Sequence, residues 1–119
     1  MTDRPFPRRG EVWWVKPGKT TGAELQKKRP YVVISADAVG NVPVKIVVPL
    51  KSWQERFAGW DWVVRIEPTR ANGLKRLEGA DVMQIKSVDT GKFVERQGRL
   101  STTEVDDITA ALAMVVEYE

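Results

Sequence analysis

The chain has 119 residues, of which 42% are hydrophobic and 29% charged, a balance typical of one globular domain covering residues 1–119. It contains no cysteine and no histidine, which excludes disulfides, thiolate metal sites and the usual histidine-based catalytic and zinc sites. No apolar run approaches about 18 residues and the polar start lacks a signal-peptide core, so a soluble cytoplasmic protein is expected.

The net charge is only +3, but it is unevenly distributed. Basic residues crowd the first quarter of the chain, from Arg4 to Arg29, whereas several acids follow Glu104. A basic face opposite an acidic one suits a polyanionic ligand, although an ordinary solvated surface accounts for the same charges.

Short apolar and β-branched segments, separated by glycine, proline and asparagine, predict strands. In chain order they are residues 10–16, 30–35, 44–50, 60–66, 80–88 and 93–100. Residues 51–59 predict a loop or short helix, and Asn72-Gly73 predicts a turn. Trp13 and Trp14 alternate along a strand, so one is expected in the core and the other exposed or at an interface.

The end of the chain predicts a helix. Ser101 and Glu104 have the spacing of a capping box. Val105, Ile108, Leu112 and Val115 then recur at helical spacing and form one apolar stripe. The expected fold is therefore mainly β, a small barrel with a C-terminal helix docked on it.

Residues 17–22 contain Gly-Lys-Thr, which is found in phosphate-binding loops of nucleotide hydrolases. That motif requires a glycine at position 13, where this chain has Trp13, and no helix is predicted directly afterwards. Nucleotide hydrolysis is therefore rejected.

Arg29 stands where a charged loop enters a buried strand, immediately before Pro30. Proline restricts the residue that precedes it, so Arg29 is expected to be extended at the rim of the barrel. Its planar guanidinium matches phosphate oxygens, although such an arginine taken alone is more often part of a surface ion pair. Lys51, Ser52 and Trp53 close another apolar strand with a cation, a hydroxyl and a ring suited to base stacking.

Together these segments resemble the MazF/PemK/Kid toxin family. The matching segments run in the order of the family over about residues 9–116: Arg9-Gly10-Glu11-Val12-Trp13, Arg29-Pro30-Tyr31-Val32-Val33-Ile34-Ser35, Val47-Val48-Pro49-Leu50-Lys51-Ser52, Asn72-Gly73-Leu74, Gln84-Ile85-Lys86-Ser87-Val88-Asp89 and Gly98-Arg99-Leu100-Ser101.

The resemblance implies an SH3-like β barrel of the CcdB/PemK type with a C-terminal α-helix, acting as a homodimer. It implies a type II toxin that cleaves single-stranded mRNA at a short sequence, independently of the ribosome, and that is inhibited by a MazE-like antitoxin. It also implies chemistry without metal or cofactor, in which 2′-hydroxyl attack leaves a 2′,3′-cyclic phosphate and a 5′-hydroxyl.

Carried over by position, the resemblance makes Arg29 the transition-state stabiliser and possible proton donor. Glu24 becomes the base or the group that orients Arg29. An unperturbed glutamate titrates near about 4.3 and is a weak base at neutral pH unless burial raises its pKa. Contacts with RNA are expected from Lys19, Thr20, Lys27, Lys28, Trp53, Arg56, Gln84 and Lys86.

The chain departs from the family pattern at three positions. The catalytic threonine of the family aligns with Lys51, so either Ser52 supplies the hydroxyl after a small shift or Lys51 holds the phosphate; Ser52 is preferred. A histidine and an aspartate used by some members are replaced here by Ala23 and Met83. Without that acid–base pair, a low rate is expected.

Two other functions are compatible with the sequence. One is a barrel that poisons a protein target such as DNA gyrase, although the chain ends in Tyr118-Glu119 without the terminal tryptophan that would favour it. The other is an RNA- or DNA-binding barrel without catalysis, whose binding would depend strongly on salt.

Overall fold

The computed structural model describes residues 6–16 and 28–118. Within them the chain forms seven strands and one α-helix, in this order: β1 Glu11–Val15, β2 Arg29–Val33, β3 Val44–Ser52, β4 Val63–Ile66, β5 Glu78–Asp81, β6 Lys86–Asp89, β7 Phe93–Arg99 and α1 Thr102–Val115. All strand pairs are antiparallel. The strand order is β4-β5-β3-β2-β1-β7, with β6 paired to β3.

Strand β3 carries the bend of the sheet. Its first part pairs with β6 and β2, up to Pro49 opposite Tyr31. Its last residues pair with β5 instead, with Lys51 opposite Gly79 and Ser52 opposite Glu78. The strand expected to end at residue 50 therefore continues through Lys51 and Ser52, which are fixed by the ladder with β5.

The two ends of the sheet approach each other through the turn at Asn72-Gly73. The Arg99 backbone N–H donates to the Ala71 carbonyl at 2.8 Å, and Gln97 Nε2 donates to the Gly73 carbonyl at 2.7 Å. Gly73 has φ +68°, a conformation that favours glycine. The predicted turn is confirmed, and these contacts help to close the curved sheet into a small barrel.

Asn72 is fully buried and fixes this turn with its side chain. Its Oδ1 accepts hydrogen bonds from the backbone N–H groups of Thr69 and Leu74, and its Nδ2 donates to the Glu67 carbonyl. A buried amide is stable only when its polar atoms find such partners.

The predicted C-terminal helix is confirmed. Ser101 Oγ accepts from the Glu104 N–H, while Glu104 Oε1 accepts from the Ser101 N–H, which completes the capping box. The apolar stripe packs on the core formed by the barrel strands: Val105 and Ile108 are buried, and Leu112 and Val115 are partly buried against that cluster.

Two predicted strands differ from the structure. The strand expected over residues 80–88 is interrupted by a 3-10 turn at Val82–Gln84, because the Asp81 carboxylate accepts the Met83 N–H and caps that turn. The strand expected over residues 60–66 begins only at Val63. The loop or short helix expected over residues 51–59 is confirmed after Ser52, where Glu55–Gly59 forms a 3-10 helix. In the described part of the chain, no helix has the length and apolar character needed to cross a membrane.

Candidate active site

A cavity of about 1400 Å³ opens on the barrel where β2, β3, β5 and β7 meet the turn at Gly73. Its lining is rich in cations: Lys28, Arg29, Lys51, Arg56, Lys75, Arg76 and Arg96. The acids in the lining are fewer: Glu78, Asp81 and Glu95. A concave surface with this charge excess attracts a polyanion.

Arg29 opens strand β2, opposite Val15 of β1, and its exposed side chain lines the cavity. Among the described residues, no carboxylate lies within ion-pair distance of its guanidinium. Pro30 follows it and also lines the cavity. This guanidinium is therefore available, within the described structure, to a ligand that carries phosphate.

Lys51 and Ser52 line the same cavity from the end of β3. Lys51 Nζ lies 2.7 Å from Asp81 Oδ2, and the Asp81 side chain is only 7% exposed. The other oxygen of Asp81 accepts the Met83 N–H at 3.1 Å. Lys51 is thus held at the wall of the cavity by a nearly buried carboxylate.

Glu78 stands opposite Ser52 and is buried, with 6% of its surface exposed. Burial raises the pKa of its carboxyl group, and the Arg76 guanidinium, 3.5 Å away, offsets this only in part. Because the Arg76 side chain is 72% exposed, water screens its attraction. Glu78 is therefore a carboxyl group at the cavity that takes up a proton more readily than usual.

Glu11 organises the β7 side of the cavity without lining it. Its carboxylate accepts hydrogen bonds from Arg96 Nε at 3.0 Å, from Trp13 Nε1 at 2.9 Å and from the Arg8 N–H at 2.9 Å. Burial alone would raise the pKa of Glu11, but these hydrogen bonds and the charge of Arg96 together hold it below its ordinary value. The carboxylate stays ionised and orients Arg96.

The sequence-predicted RNA-binding residues divide into three groups. Lys28, Arg56 and Gln84 line the cavity. Trp53 and Lys86 do not: Trp53 packs edge-on against Phe57, and Lys86 lies over the Tyr31 ring on β6. The third group, Lys19, Thr20 and Lys27, lies outside the described residues. The same holds for the predicted catalytic Glu24, for Ala23 and for the Gly-Lys-Thr segment at residues 17–22.

The expectation for the two tryptophans of β1 is also resolved. Trp13 packs on the second apolar cluster, edge-on to Phe93 at 5.8 Å between ring centroids, whereas Trp14 lines the cavity. Both rings are half-buried, but they lie on opposite faces of the strand as the alternation indicates: one packs against the core and the other faces the cavity.

Sequence reasoning missed Asp81, Glu78, Trp60 and Trp62, all of which line the cavity. The available signal for Asp81 was a carboxylate inside the strand expected over residues 80–88, whereas Glu78 lies outside that segment and no local pattern indicated it. A Cβ at Gly79 would come within 2.7 Å of Val63 and 3.3 Å of Phe57, so the small residue allows the rings to pack there. Met83 is exposed at the cavity, and the nearby carboxylate belongs to Asp81, two residues earlier.

Comparison with known proteins bears on the fold and the family of the chain. Endoribonuclease MazF9 from Mycobacterium tuberculosis is 28% identical over 113 residues, which cover 90% of this chain and 93% of that protein. A mycobacterial endoribonuclease in complex with its cognate antitoxin has a TM-score of 0.76 at 16% identity, with 96% of this chain and 98% of that chain covered. MazF from a MazE-MazF crystal structure of Deinococcus radiodurans has a TM-score of 0.75 at 18% identity, covering 95% and 97%.

The structural likeness supports the barrel with its C-terminal helix. The family model for PemK-like, MazF-like toxins matches residues 8–116, nearly the whole chain. The chain therefore belongs to the PemK-like, MazF-like toxins of type II toxin–antitoxin systems, a family of endoribonucleases.

Proposed function

We propose that this toxin cleaves single-stranded RNA in the cationic cavity, at a short sequence and without the ribosome. The 2′-oxygen attacks the adjacent phosphorus while the bond to the 5′-oxygen breaks, which leaves a 2′,3′-cyclic phosphate and a 5′-hydroxyl. The observation that carries this proposal is the exposed Arg29 guanidinium, without a carboxylate partner among the described residues, in one cavity with Lys51 and Ser52.

Negative charge builds up on the phosphate oxygens during this step, and preorganised cations lower its barrier. Arg29 is the main stabiliser, because its planar fork can donate two hydrogen bonds to one phosphate. Lys51 carries its charge at a position fixed by Asp81 and suits a point contact with phosphate. Ser52 offers a hydroxyl to the same group.

The reaction also moves two protons, one from the attacking 2′-hydroxyl and one to the leaving 5′-oxygen. Glu24 is the base proposed from the family pattern. Glu78 is a second candidate, supported by its burial, its place opposite Ser52 and its raised pKa. A carboxyl group whose pKa moves toward neutrality is a better general base than an ordinary glutamate.

We further propose that the toxin acts in the cytoplasm, as one domain that forms homodimers and is inhibited by a MazE-like antitoxin. The antitoxin complexes among the structural relatives support the last point. Exposed apolar side chains on and beside β3, namely Val42, Val44 and Ile46, support a surface that another subunit covers. The excess of cations in the cavity suits an acidic antitoxin segment as well as RNA.

The test is incubation of the purified protein with a long single-stranded RNA in the presence of EDTA. We expect cleavage at a repeated short sequence, with 5′-hydroxyl and cyclic phosphate ends. Intact RNA under these conditions, or 5′-phosphate ends, would contradict the proposal.

Ser52→Ala and Lys51→Ala, compared in the same assay, separate the two roles left open by the sequence. If Ser52 supplies the hydroxyl, Ser52→Ala slows cleavage more than Lys51→Ala does. Because the loss of Lys51 also leaves Asp81 without its partner, the folded fraction of each variant is measured by circular dichroism before rates are compared.

A further inference from the structure

A continuous series of aromatic rings leads from the core to the cavity. Phe57 lies 5.3 Å from Trp60 between ring centroids, and Trp60 lies 5.4 Å from Trp62 with only 19° between the ring planes. Trp62 is the outer member, since no other ring in the described structure stacks on it. Trp60 and Trp62 are half-buried, so part of each ring faces the solvent of the cavity.

The inner end of this series is fixed. Phe57 is 4% exposed and packs edge-on against Trp53 at 5.5 Å. Both rings lie against Gly79, where a Cβ would be 3.3 Å from each. The series is therefore anchored in the protein. Because folding already orders the Trp62 side chain in part, binding of a ligand to it costs less conformational entropy.

One cation lies against the series, and others line the same cavity. The guanidinium of Arg56 lies 5.7 Å from the Trp60 ring centroid and 5.5 Å from that of Phe57. Arg29 and Lys51 line the same cavity. The site thus combines a flat aromatic surface with charges suited to phosphate, the two features by which proteins hold unpaired nucleotides.

We propose that Trp62, backed by Trp60, is the platform on which an unpaired RNA base stacks while the phosphate backbone contacts the cations of the cavity. This inference rests on the proposed function and deepens it. Base stacking predicted for Trp53 is reassigned, because that ring packs on Phe57 and does not line the cavity. Arg56 flanks the platform and contributes charge rather than base recognition.

The proposal is tested with a short single-stranded RNA in which every ribose is 2′-O-methylated and one base is 2-aminopurine. Its sequence is that of the wild-type cleavage site, and the blocked 2′-oxygen prevents cleavage. Binding is followed by fluorescence anisotropy of an end label, and stacking by quenching of 2-aminopurine. The variants are Trp62→Leu and Trp62→Phe, with Tyr118→Leu as the control, an exposed aromatic residue outside the cavity.

We expect Trp62→Leu to raise Kd about tenfold, the scale of losing one stacked base, and to abolish quenching at one position of the probe. Trp62→Phe keeps a ring and should retain most of both signals, whereas Tyr118→Leu should change neither. The dependence of Kd on salt should stay unchanged in Trp62→Leu, because no phosphate contact is lost.

If a folded Trp62→Leu variant shows the wild-type Kd and the wild-type quenching, the stacking platform is overturned. The proposed function still stands in that case, provided that the wild-type protein cleaves RNA. A wild-type protein that neither binds the probe nor cuts RNA would overturn both. Loss of antitoxin binding in Trp62→Leu with unchanged Kd for the probe would assign the ring to a protein partner and equally overturn the proposal.

Discussion

Lys51 Nζ and Asp81 Oδ2 are 2.7 Å apart and join β3 to β5, although the residue directly opposite Lys51 in the ladder is Gly79. Lys51 occupies the position where the family pattern has threonine. A lysine there brings a charge to the wall of a barrel, and Asp81, 7% exposed, compensates for it. The two residues are therefore expected to act as a unit, since removing one leaves the other in an unsuitable environment.

Removing Lys51 should destabilise the fold through Asp81. In Lys51→Met the nearly buried carboxylate loses its cation, and the free energy of unfolding should fall by about 1 to 3 kcal/mol. Asp81→Asn keeps an oxygen for the Met83 N–H but loses the charge. In urea unfolding, the double variant should lose less free energy of unfolding than the two single variants lose when their losses are added. Strict additivity would contradict the coupling.

Replacing Arg29 should affect cleavage and leave stability unchanged. Loss of a preorganised donor to a developing charge typically costs about 10²- to 10³-fold in rate, so this loss is expected for Arg29→Ala. Arg29→Lys should recover only part of it, because an ammonium group cannot donate in the planar fork. Single-turnover RNA cleavage and thermal unfolding are the measurements.

Arg70→Ala is the matched control for Arg29→Ala, since Arg70 is exposed and does not line the cavity. It should cleave RNA as the wild type does. An Arg29→Ala variant with the wild-type rate would remove Arg29 from the site.

Local patterns in the sequence predicted those features of the structure that depend on neighbours along the chain. Pro30 after Arg29, and Ser101 three residues before Glu104, are signals of this kind, and the cap is present as expected. The acids of the cavity depend instead on strand register. Glu78 lies beside Ser52 only because β3 leaves β2 after Pro49 and pairs with β5. No spacing along the chain encodes that change of partner.

The stability of the protein should respond to the raised pKa of Glu78. At pH values between the pKa of Glu78 in the unfolded state and its raised pKa in the folded state, the native protein holds more protons than the unfolded chain. The contribution of Glu78 to the free energy of unfolding is therefore present at acid pH and is lost as pH rises through the folded pKa. Glu78→Gln should therefore be more stable than the wild type at neutral pH, with the difference shrinking in acid. Urea unfolding across pH measures it.

The same variant tests the role of Glu78 as a base. If Glu78 accepts the proton of the 2′-hydroxyl, the wild-type rate rises as pH passes its raised pKa, and Glu78→Gln is slower and lacks that rise. A pH–rate profile in Glu78→Gln that overlies the wild type would leave proton transfer to another group such as Glu24.

Glu11 should show the opposite dependence. Its pKa is lowered in the folded protein, so the native state holds fewer protons there than the unfolded state. Its stabilisation is present above the unfolded pKa and is lost as pH falls through the folded pKa. Glu11→Gln should thus be less stable than the wild type at neutral pH and should approach it in acid. A constant difference at every pH would indicate that packing, not charge, accounts for the loss.

Closure of the barrel depends on the absence of a side chain at Gly98. A Cβ built there would lie 2.3 Å from the backbone carbonyl carbon of Asn72, and backbone cannot move aside as a flexible side chain can. Gly98→Ala should therefore push β7 away from the turn at Gly73 and lower the free energy of unfolding by about 3 kcal/mol or more. Gly59→Ala is the control, since nothing lies within 4 Å of its added Cβ. Equal free energies of unfolding in urea for Gly98→Ala and Gly59→Ala would refute this account of closure. Because Gly73 and Gln97 both line the cavity, Gly98→Ala should also bind RNA more weakly than the wild type, even under conditions where it remains folded.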